Sequence, residues 1–281
     1  MFFDVLQENI NDIFRRLKIV DKRVIETGLI AVKKGGDILK QGFGKVENIS
    51  FKGEIDLVTE IDHLSEETVV GFLKEKLPDY DILAEEGGGC DSGSACRWIL
   101  DPLDGTTNYA HGYPCFCVSL ALEYDRKIVW GAVYDPIHDE LFSAEKGKGA
   151  YLNHERIAVS STERLDRAML CTGFPYDVRE SADDILNFLE SFLKIAQAIR
   201  RDGSAALDLC YVAMGRFDGF WEMKLKPWDI AAGALIVQEA GGSATGFDND
   251  LLDLKKGDVL ASNLLIHDEM INVVRKGSFN G

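Results

Sequence analysis

An α+β protein built as two closely joined halves is what this sequence predicts. A helical stripe opens the chain, runs of alternating apolar residues fill its middle, and helix and strand patterns alternate through the remainder. The chain has 281 residues and is 46% hydrophobic, enough for a large core, and single cores tend to divide above about 250 residues. A soft boundary falls near residue 150. It separates an α+β half, 1–150, from an α/β half, 151–281. No Pro/Gly/Ser linker marks it, so the halves are expected to share an interface.

The first helix is read from Ile25, Leu29, Val32, Gly36 and Leu39, which recur at steps of four and three. Gly35 and Gly36 signal close packing, and Gly42 and Gly44 end the segment. A second helix is expected over 62–77, with Val69, Phe72, Leu73 and Leu77 inward and Pro78 as its stop. Strands are expected at 116–122, 127–134, 140–144, 156–160 and 168–173, with EKGKGA at 145–150 as a turn. Ile185, Leu189, Phe192 and Ala196 form another helical stripe. Ser204 can cap a helix that runs to Met214, with Gly215 past its end. A short strand at 219–222, a helix from Asp229 to Gly241 and Gly242, a strand at 258–263 and a helix at 267–275 complete the chain.

Composition excludes several functions. Lys plus Arg number 31 and Asp plus Glu 47, a formal net charge of −16. Such a surface repels nucleic-acid backbones, so direct DNA or RNA binding is not expected. No apolar run approaches the roughly 18 to 20 residues of a membrane span. The opening MFFDVLQENINDIF lacks a basic stretch followed by an apolar one, so no secretory leader is expected. The six cysteines then read as reduced thiols of a cytoplasmic protein. Cys90, Cys96, Cys115 and Cys117 lie close together, but their spacing fits no familiar zinc pattern. The histidines at 63, 111, 138, 154 and 267 form no ligand pair and read as surface or packing residues.

The chemistry concentrates in carboxylates. In WILDPLDGTTN at 98–108, an apolar strand runs into Asp101, Pro102, Asp104, Gly105 and Thr106. Pro102 must end the strand because it lacks an N–H. Two carboxylates three apart across a turn can converge on a hard cation such as magnesium, or the segment can be a plain turn. LAEEGG at 83–88 places Glu85 and Glu86 beyond a strand end, where α/β sites lie. Glu86 suits a solvated loop better than Glu85 does. DLVTEID at 56–62 sets Asp56 and Asp62 around an apolar strand, with Asp62 open to a helix-cap role. Asp229, after Lys226, Pro227 and Trp228, is also a cap by position, yet its small apolar neighbours imply a crowded setting. A buried carboxylate needs a partner or a metal.

These segments, in this order, resemble the inositol monophosphatase family. WILDPLDGTTN is similar to its first signature and WDIAAGALIVQEAGG at 228–242 to its second. DLVTEID and LAEEGG resemble the two segments that precede them, and the likeness covers about residues 20–275. The resemblance implies a layered αβαβα sandwich and magnesium-dependent hydrolysis of a phosphomonoester such as myo-inositol monophosphate. It implies two or three Mg2+ ions per site, inhibition by lithium, a small phosphorylated polyol or sugar as partner, and a homodimer. Carried over by position, it implies that Glu85, Asp101 and the Leu103 carbonyl hold one ion, and Asp101, Asp104 and Asp229 another. Glu85 also reaches a weaker third ion through water. Thr106 with Asp62 behind it orients the attacking water. Leu103, Asp104, Gly105 and Thr106 hold the phosphate, and Gly203, Ser204, Ala205 and Glu222 meet the ring, with Glu85 and Asp229 also facing the substrate.

The chemistry agrees with these roles. Phosphate monoester hydrolysis is among the slowest uncatalysed reactions, and two ions roughly 3.5 to 4 Å apart can activate water and steady a departing alkoxide. No Gly-x-Ser-x-Gly nucleophile motif is present, so direct attack by water is the simpler route. Fructose-1,6-bisphosphate and phosphoadenosine nucleotides remain alternative substrates within the superfamily. A regulatory protein-binding role is the alternative of another class. Arg200 and Arg201 sit just before Gly203, where they can meet a second phosphate, meet a partner subunit, or stand exposed.

Overall fold

The computed structural model describes residues 20–45, 49–51, 57–87, 89–175, 177–179 and 182–277. Asp56 and the N-terminal stretch read above for a leader lie outside them. The chain opens with α1 (Lys22–Gly42), an antiparallel pair of β1 (Ile49–Phe51) and β2 (Leu57–Thr59), and α2 (Glu60–Lys76). Then come β3 (Asp81–Ala84), β4 (Cys96–Asp104), the short α3 (Thr106–Ala110), β5 (Cys117–Tyr124) and β6 (Lys127–Asp135). Strands β7 (Glu140–Glu145), β8 (Gly149–Leu152) and β9 (Glu155–Ile157) finish the first sheet. The second sheet starts at β10 (Met169–Thr172), followed by α4 (Asp183–Leu193), β11 (Ala198–Arg200) and α5 (Ala205–Ala213). It continues with β12 (Gly219–Glu222), α6 (Pro227–Glu239), β13 (Ser243–Thr245), β14 (Val259–Ser262) and α7 (His267–Gly277).

The larger sheet has seven strands in sequence order, β3 to β9, with β3 parallel to β4 and the other pairs antiparallel. The smaller has five, ordered β11-β10-β12-β14-β13. Successive strand residues point to opposite faces, and both faces of each sheet are covered. Trp98, Leu100, Leu120 and Trp130 turn toward α1 and α2. Ile99, Ala121, Val133 and Phe142 turn the other way, into a cluster with Leu207 and Leu209 of α5 and Ile236 of α6. The same cluster takes Cys171, Phe220 and Ala261 from the smaller sheet. That sheet's far face, with Leu170, Trp221 and Leu260, packs on Phe188 and Phe192 of α4 and Met270 and Val274 of α7. The result is a five-layer αβαβα sandwich. The middle helical layer buries residues from both sides of position 150.

Several local expectations change. Helix α1 buries Val24, Gly28, Ala31, Val32, Gly35, Gly36 and Leu39, while Ile25 and Leu29 are only half-buried. The small residues choose the face. A Cβ on Gly28 would fall 2.6 Å from the Trp130 ring, and one on Gly36 2.4 Å from the Tyr134 ring. The strand expected over 156–160 stops at Ile157, and the stripe ending at Ala196 belongs to a helix that ends at Leu193. Strands β1, β11 and β13 have three residues each, too few for a periodic signal.

Candidate active site

The first signature forms the end of β4. Its register against β5 shifts between Asp101 and Asp104, where Pro102 offers no N–H to the ladder. Asp101 Oδ1 accepts from the Leu103 N–H at 2.9 Å, which folds the chain back on itself. Gly105 then turns into α3 with φ 96°, and a Cβ there would lie 2.8 Å from the Cys115 carbonyl. Conformation and contact both demand glycine. The plain-turn reading is therefore too simple, since the turn presents Asp101, Leu103, Asp104 and Thr106 to one cleft of about 240 Å³.

Helix α2 supports that turn from behind. Its cap is Thr59, not Asp62. Asp62 is the third residue of the helix and completes a capping box, accepting from Thr59 N–H at 2.9 Å and Thr59 Oγ1 at 2.6 Å through Oδ2. Its other oxygen, Oδ1, lies 3.0 Å from Thr106 Oγ1. Thr106 Oγ1 is also 3.0 Å from the Leu103 carbonyl, so its one proton serves two acceptors. Burial raises the Asp62 pKa above the carboxylate norm despite hydrogen bonds from Thr59 and Thr106, and the nearby Glu86 adds to the rise. The helix dipole does not hold this carboxyl at its ordinary value; desolvation wins.

Two residues of α2 escaped the sequence reading. Ser65 Oγ donates to the Pro102 carbonyl at 2.9 Å. Glu66 Oε2 accepts from the Glu86 N–H at 2.7 Å, pinning the loop that carries Glu85 into the cleft. Asp62, Ser65, Glu66 and Val69 share one helical face, spaced three and four apart. That spacing was the available signal. Glu86 itself is not solvated, for its side chain is only 4% exposed.

Across the cleft, Asp229 is the third residue of α6, behind Lys226 as cap and Pro227 at the first position. Its Oδ2 accepts from the Lys226 N–H at 2.7 Å. Ser204 holds the cap position of α5 but makes no capping bond with its side chain. Instead its hydroxyl donates to Asp104 Oδ2 at 2.6 Å, and the Ala206 N–H donates to the same oxygen at 2.7 Å. Asp104 thus caps a helix about 100 residues away in sequence.

The remaining expected residues gather on the far wall. Glu222 ends β12, buried, and burial pushes its pKa to about 8 against a weaker opposing pull from Arg201. Gly173 makes room for it, because a Cβ there would fall 2.1 Å from a Glu222 oxygen. Gly203 and Ala205 line the cleft with Glu222, while Ser204 is buried beneath them. Asn108 was not assigned a role from sequence. Its Nδ2 donates to the Cys115 and Asp202 carbonyls, both at 2.8 Å, joining the first signature to the loop before Gly203. The arginines part company. Arg201 lines the cleft, while Arg200 is exposed and donates to the Ile199 carbonyl.

Burial raises the pKa values of Asp101, Asp104 and Asp229 above the usual range. For Asp101 the charges of Glu85, Asp104 and Asp229 add to it. Local N–H groups anchor one oxygen of each, which leaves the other for an ion. All the donors are oxygen, a set that suits a hard divalent cation. Among the described residues no three His, Cys, Asp or Glu side chains are already drawn together as an ion site. No histidine among the described residues lines the cleft.

The Inositol monophosphatase family model matches residues 21–278. The chain belongs to that family. It is a phosphatase of the phosphoric monoester hydrolase type. It is 42% identical to a fructose-1,6-bisphosphatase/inositol-1-monophosphatase of Aquifex aeolicus, over 91% of this chain and 96% of that one. It is 39% identical to the Nus factor SuhB of Pseudomonas aeruginosa, over 90% and 96%. The crystal structure of the extragenic suppressor protein suhB from Bartonella henselae superposes with a TM-score of 0.87 at 41% identity, covering 90% of this chain and 99% of that one. Membership of the family accounts for the shared positions of the signatures. Gly173, Asn108 and Glu66 add the packing that sets those signatures against one another in this chain.

Proposed function

We propose that this phosphatase hydrolyses a small phosphomonoester, myo-inositol monophosphate, with Mg2+ as its metal. The observation that supports this best is the Thr106–Asp62 contact at 3.0 Å beside Asp101, Asp104 and Asp229 in one cleft. Glu85, Asp101 and the Leu103 carbonyl would hold one ion, and Asp101, Asp104 and Asp229 a second, with a weaker third near Glu85. When bound, magnesium supplies Lewis acidity and offsets charge on the departing oxygen.

The chain's own residues do the positioning. Asp62 accepts the Thr106 proton, so the Thr106 oxygen accepts from water and aims it at phosphorus. The first N–H groups of α3 have no intrahelical partner, which lets Gly105 and Thr106 meet phosphate oxygens. Gly203, Ala205 and Glu222 take the polyol hydroxyls, while Ser204, expected beside them, lies buried with its hydroxyl on Asp104. Burial raises the pKa of Glu222 to about 8 in the metal-free protein. Lithium inhibition, a homodimer and a cytoplasmic location belong to the same reading. No described helix is long and apolar enough to cross a membrane.

Phosphate release from inositol-1-phosphate, fructose-1,6-bisphosphate and phosphoadenosine phosphate, with and without Mg2+, tests the reading. Preference for either of the last two substrates would replace inositol phosphate. The name of the Pseudomonas relative favours a second reading, a regulatory protein-binding role. A pull-down beside an activity assay of the same preparation separates the two.

A further inference from the structure

We propose that Ser204 is a positioning residue for Asp104: its hydroxyl fixes which oxygen of that carboxylate is offered to an ion, and it does not touch the polyol. The inference rests on the phosphatase reading above. It departs from the ring contact that the family resemblance implied for this position.

Ser204 stands where a helix cap belongs. It precedes α5 with an extended backbone, φ −139° and ψ 100°, yet its side chain makes no capping bond. A serine at that place ordinarily accepts from the N–H of the second or third helical residue. Here the N–H of Ala206, the second residue of α5, donates to Asp104 Oδ2 instead, at 2.7 Å. The hydroxyl, relieved of that task, turns the same way and donates to the same oxygen at 2.6 Å. That length is typical of O–H bonds to an ionised carboxylate, which are about twice as strong as neutral ones. Gly203 and Ala205 on either side line the cleft, whereas Ser204 does not and is 1% exposed.

Two donors on one oxygen hold a carboxylate in a way that one does not. The hydroxyl and the Ala206 N–H together fill the two lone pairs of Oδ2 and leave Oδ1 as the oxygen for an ion. Without the hydroxyl, the carboxylate is free to pivot about the remaining backbone bond. The donor is itself held still. The Ser204 carbonyl accepts from the Asp208 N–H at 2.9 Å. Asn108 holds the carbonyl of Asp202, two residues back, at 2.8 Å. Between those anchors Gly203 turns with φ 88°, a conformation that favours glycine. The Cys117 thiol, buried, closes another side of the pair, 3.7 Å from the Ser204 hydroxyl and 3.8 Å from Asp104 Oδ2. A hydroxyl so fixed sets the orientation of the ligand before any ion arrives.

Thermal melting against magnesium concentration, without substrate, on the wild type, Ser204→Ala and Ser204→Thr tests this, beside steady-state kinetics with inositol-1-phosphate. In Ser204→Ala the magnesium needed for half the melting shift should rise about tenfold, which corresponds to about 1.4 kcal/mol. The magnesium needed for half-maximal turnover should rise with it, while KM at saturating magnesium stays within about twofold. Ser204→Thr keeps a hydroxyl and should bring the requirement back to within about threefold of the wild type. An unchanged requirement in Ser204→Ala overturns the proposal. So does a KM raised at saturating magnesium with the requirement unmoved, which would return Ser204 to the polyol. Should Ser204→Ala fail to fold, Ser204→Cys, a weak donor of similar shape, should show the same rise, and its absence there overturns the proposal equally. A wild type whose melting ignores magnesium overturns both the ion site and this proposal. A wild type that binds magnesium but releases no phosphate from inositol-1-phosphate loses the substrate reading alone, and the magnesium comparison still decides the role of Ser204.

Discussion

The Asp104 carboxylate accepts a 2.7 Å hydrogen bond from the Ala206 backbone N–H. One side chain thereby serves two ends. It caps α5 in the second half of the chain, and it stands in the carboxylate cluster of the first. Substitutions at Asp104 and Asp101 should therefore differ, although both remove a clustered charge.

Asp104→Asn keeps an oxygen for the Ala206 N–H and loses the charge. Turnover should fall by orders of magnitude and the magnesium requirement should rise. Asp104→Ala also removes the cap, which costs about 0.5 to 2 kcal/mol, set against relief of repulsion. Asp101→Ala relieves repulsion with no helix to uncap but leaves the buried Leu103 N–H without its acceptor, so Asp101→Asn, which keeps an oxygen there, should make the metal-free protein no less stable. Urea midpoints of the metal-free variants, with turnover against magnesium concentration, check the difference. Near-normal activity of Asp104→Asn at low magnesium would remove Asp104 from the ligand set.

Magnesium should raise the melting temperature, because an ion that binds only the folded state stabilises it. At a hundred times the dissociation constant the gain is about 2.7 kcal/mol. An unchanged melting temperature at concentrations that support turnover would mean the cluster is not the main metal site.

Thr106→Ala should lower turnover strongly and leave substrate affinity nearly intact, since a lost orientation appears mainly in the transition state. Thr106→Ser should keep much more activity. Direct attack by water predicts inversion at a chirally labelled phosphorus. Retention, or a trapped phosphothreonine, would make Thr106 a covalent nucleophile instead.

Glu222 makes stability depend on pH. Its carboxyl moves from an ordinary 4.5 when unfolded to about 8 when folded. The folded state therefore holds the proton more tightly. Stability from this group is complete below pH 4.5 and is lost as pH rises through 8, at most on the order of 1.4 kcal/mol per pH unit. Urea titrations of the metal-free wild type from pH 5 to 9 should show a slope that Glu222→Gln reduces. Equal slopes in the two proteins would contradict it.

Asp208 offers a simpler stability test. It is buried on α5, and neither of its oxygens has a hydrogen-bond partner. Burial, with Asp202 and Glu222 close by, raises its pKa well above the usual range. Asp208→Asn removes the titration at constant shape and should match or exceed the wild type in stability at pH 8, by up to about 3 kcal/mol. A clear loss at that pH would show a partner bound to the carboxylate.

The signature segments were legible because local chemistry writes them. Pro102 does not end its strand as expected, since β4 runs on to Asp104 with a register shift in place of a break; Gly105 must turn, and carboxylates beside apolar runs stand out in one dimension. The helices were legible by period, and the long strands β5 and β6 by alternation. Their covering faces were less so. Val24, Gly28 and Leu39 are buried against the sheet while Ile25 and Leu29 pack at its margin, because the Trp130 and Tyr134 rings leave room only for glycine at positions 28 and 36.

What the sequence determined by itself was the inventory: a layered mixture of helices and strands, the family, and the acids at 62, 85, 101, 104, 222 and 229. Tertiary structure decided how they are used. Thr59 caps α2 and frees Asp62 for Thr106; Asp104 caps α5 and frees Ser204 from that task; Glu66 and Asn108 tie loops that sequence leaves unconnected. Hydrogen-bond partners of this kind lie up to about 100 residues apart, and a carboxylate's choice between its own helix and another's is set by which donors burial brings within 3 Å.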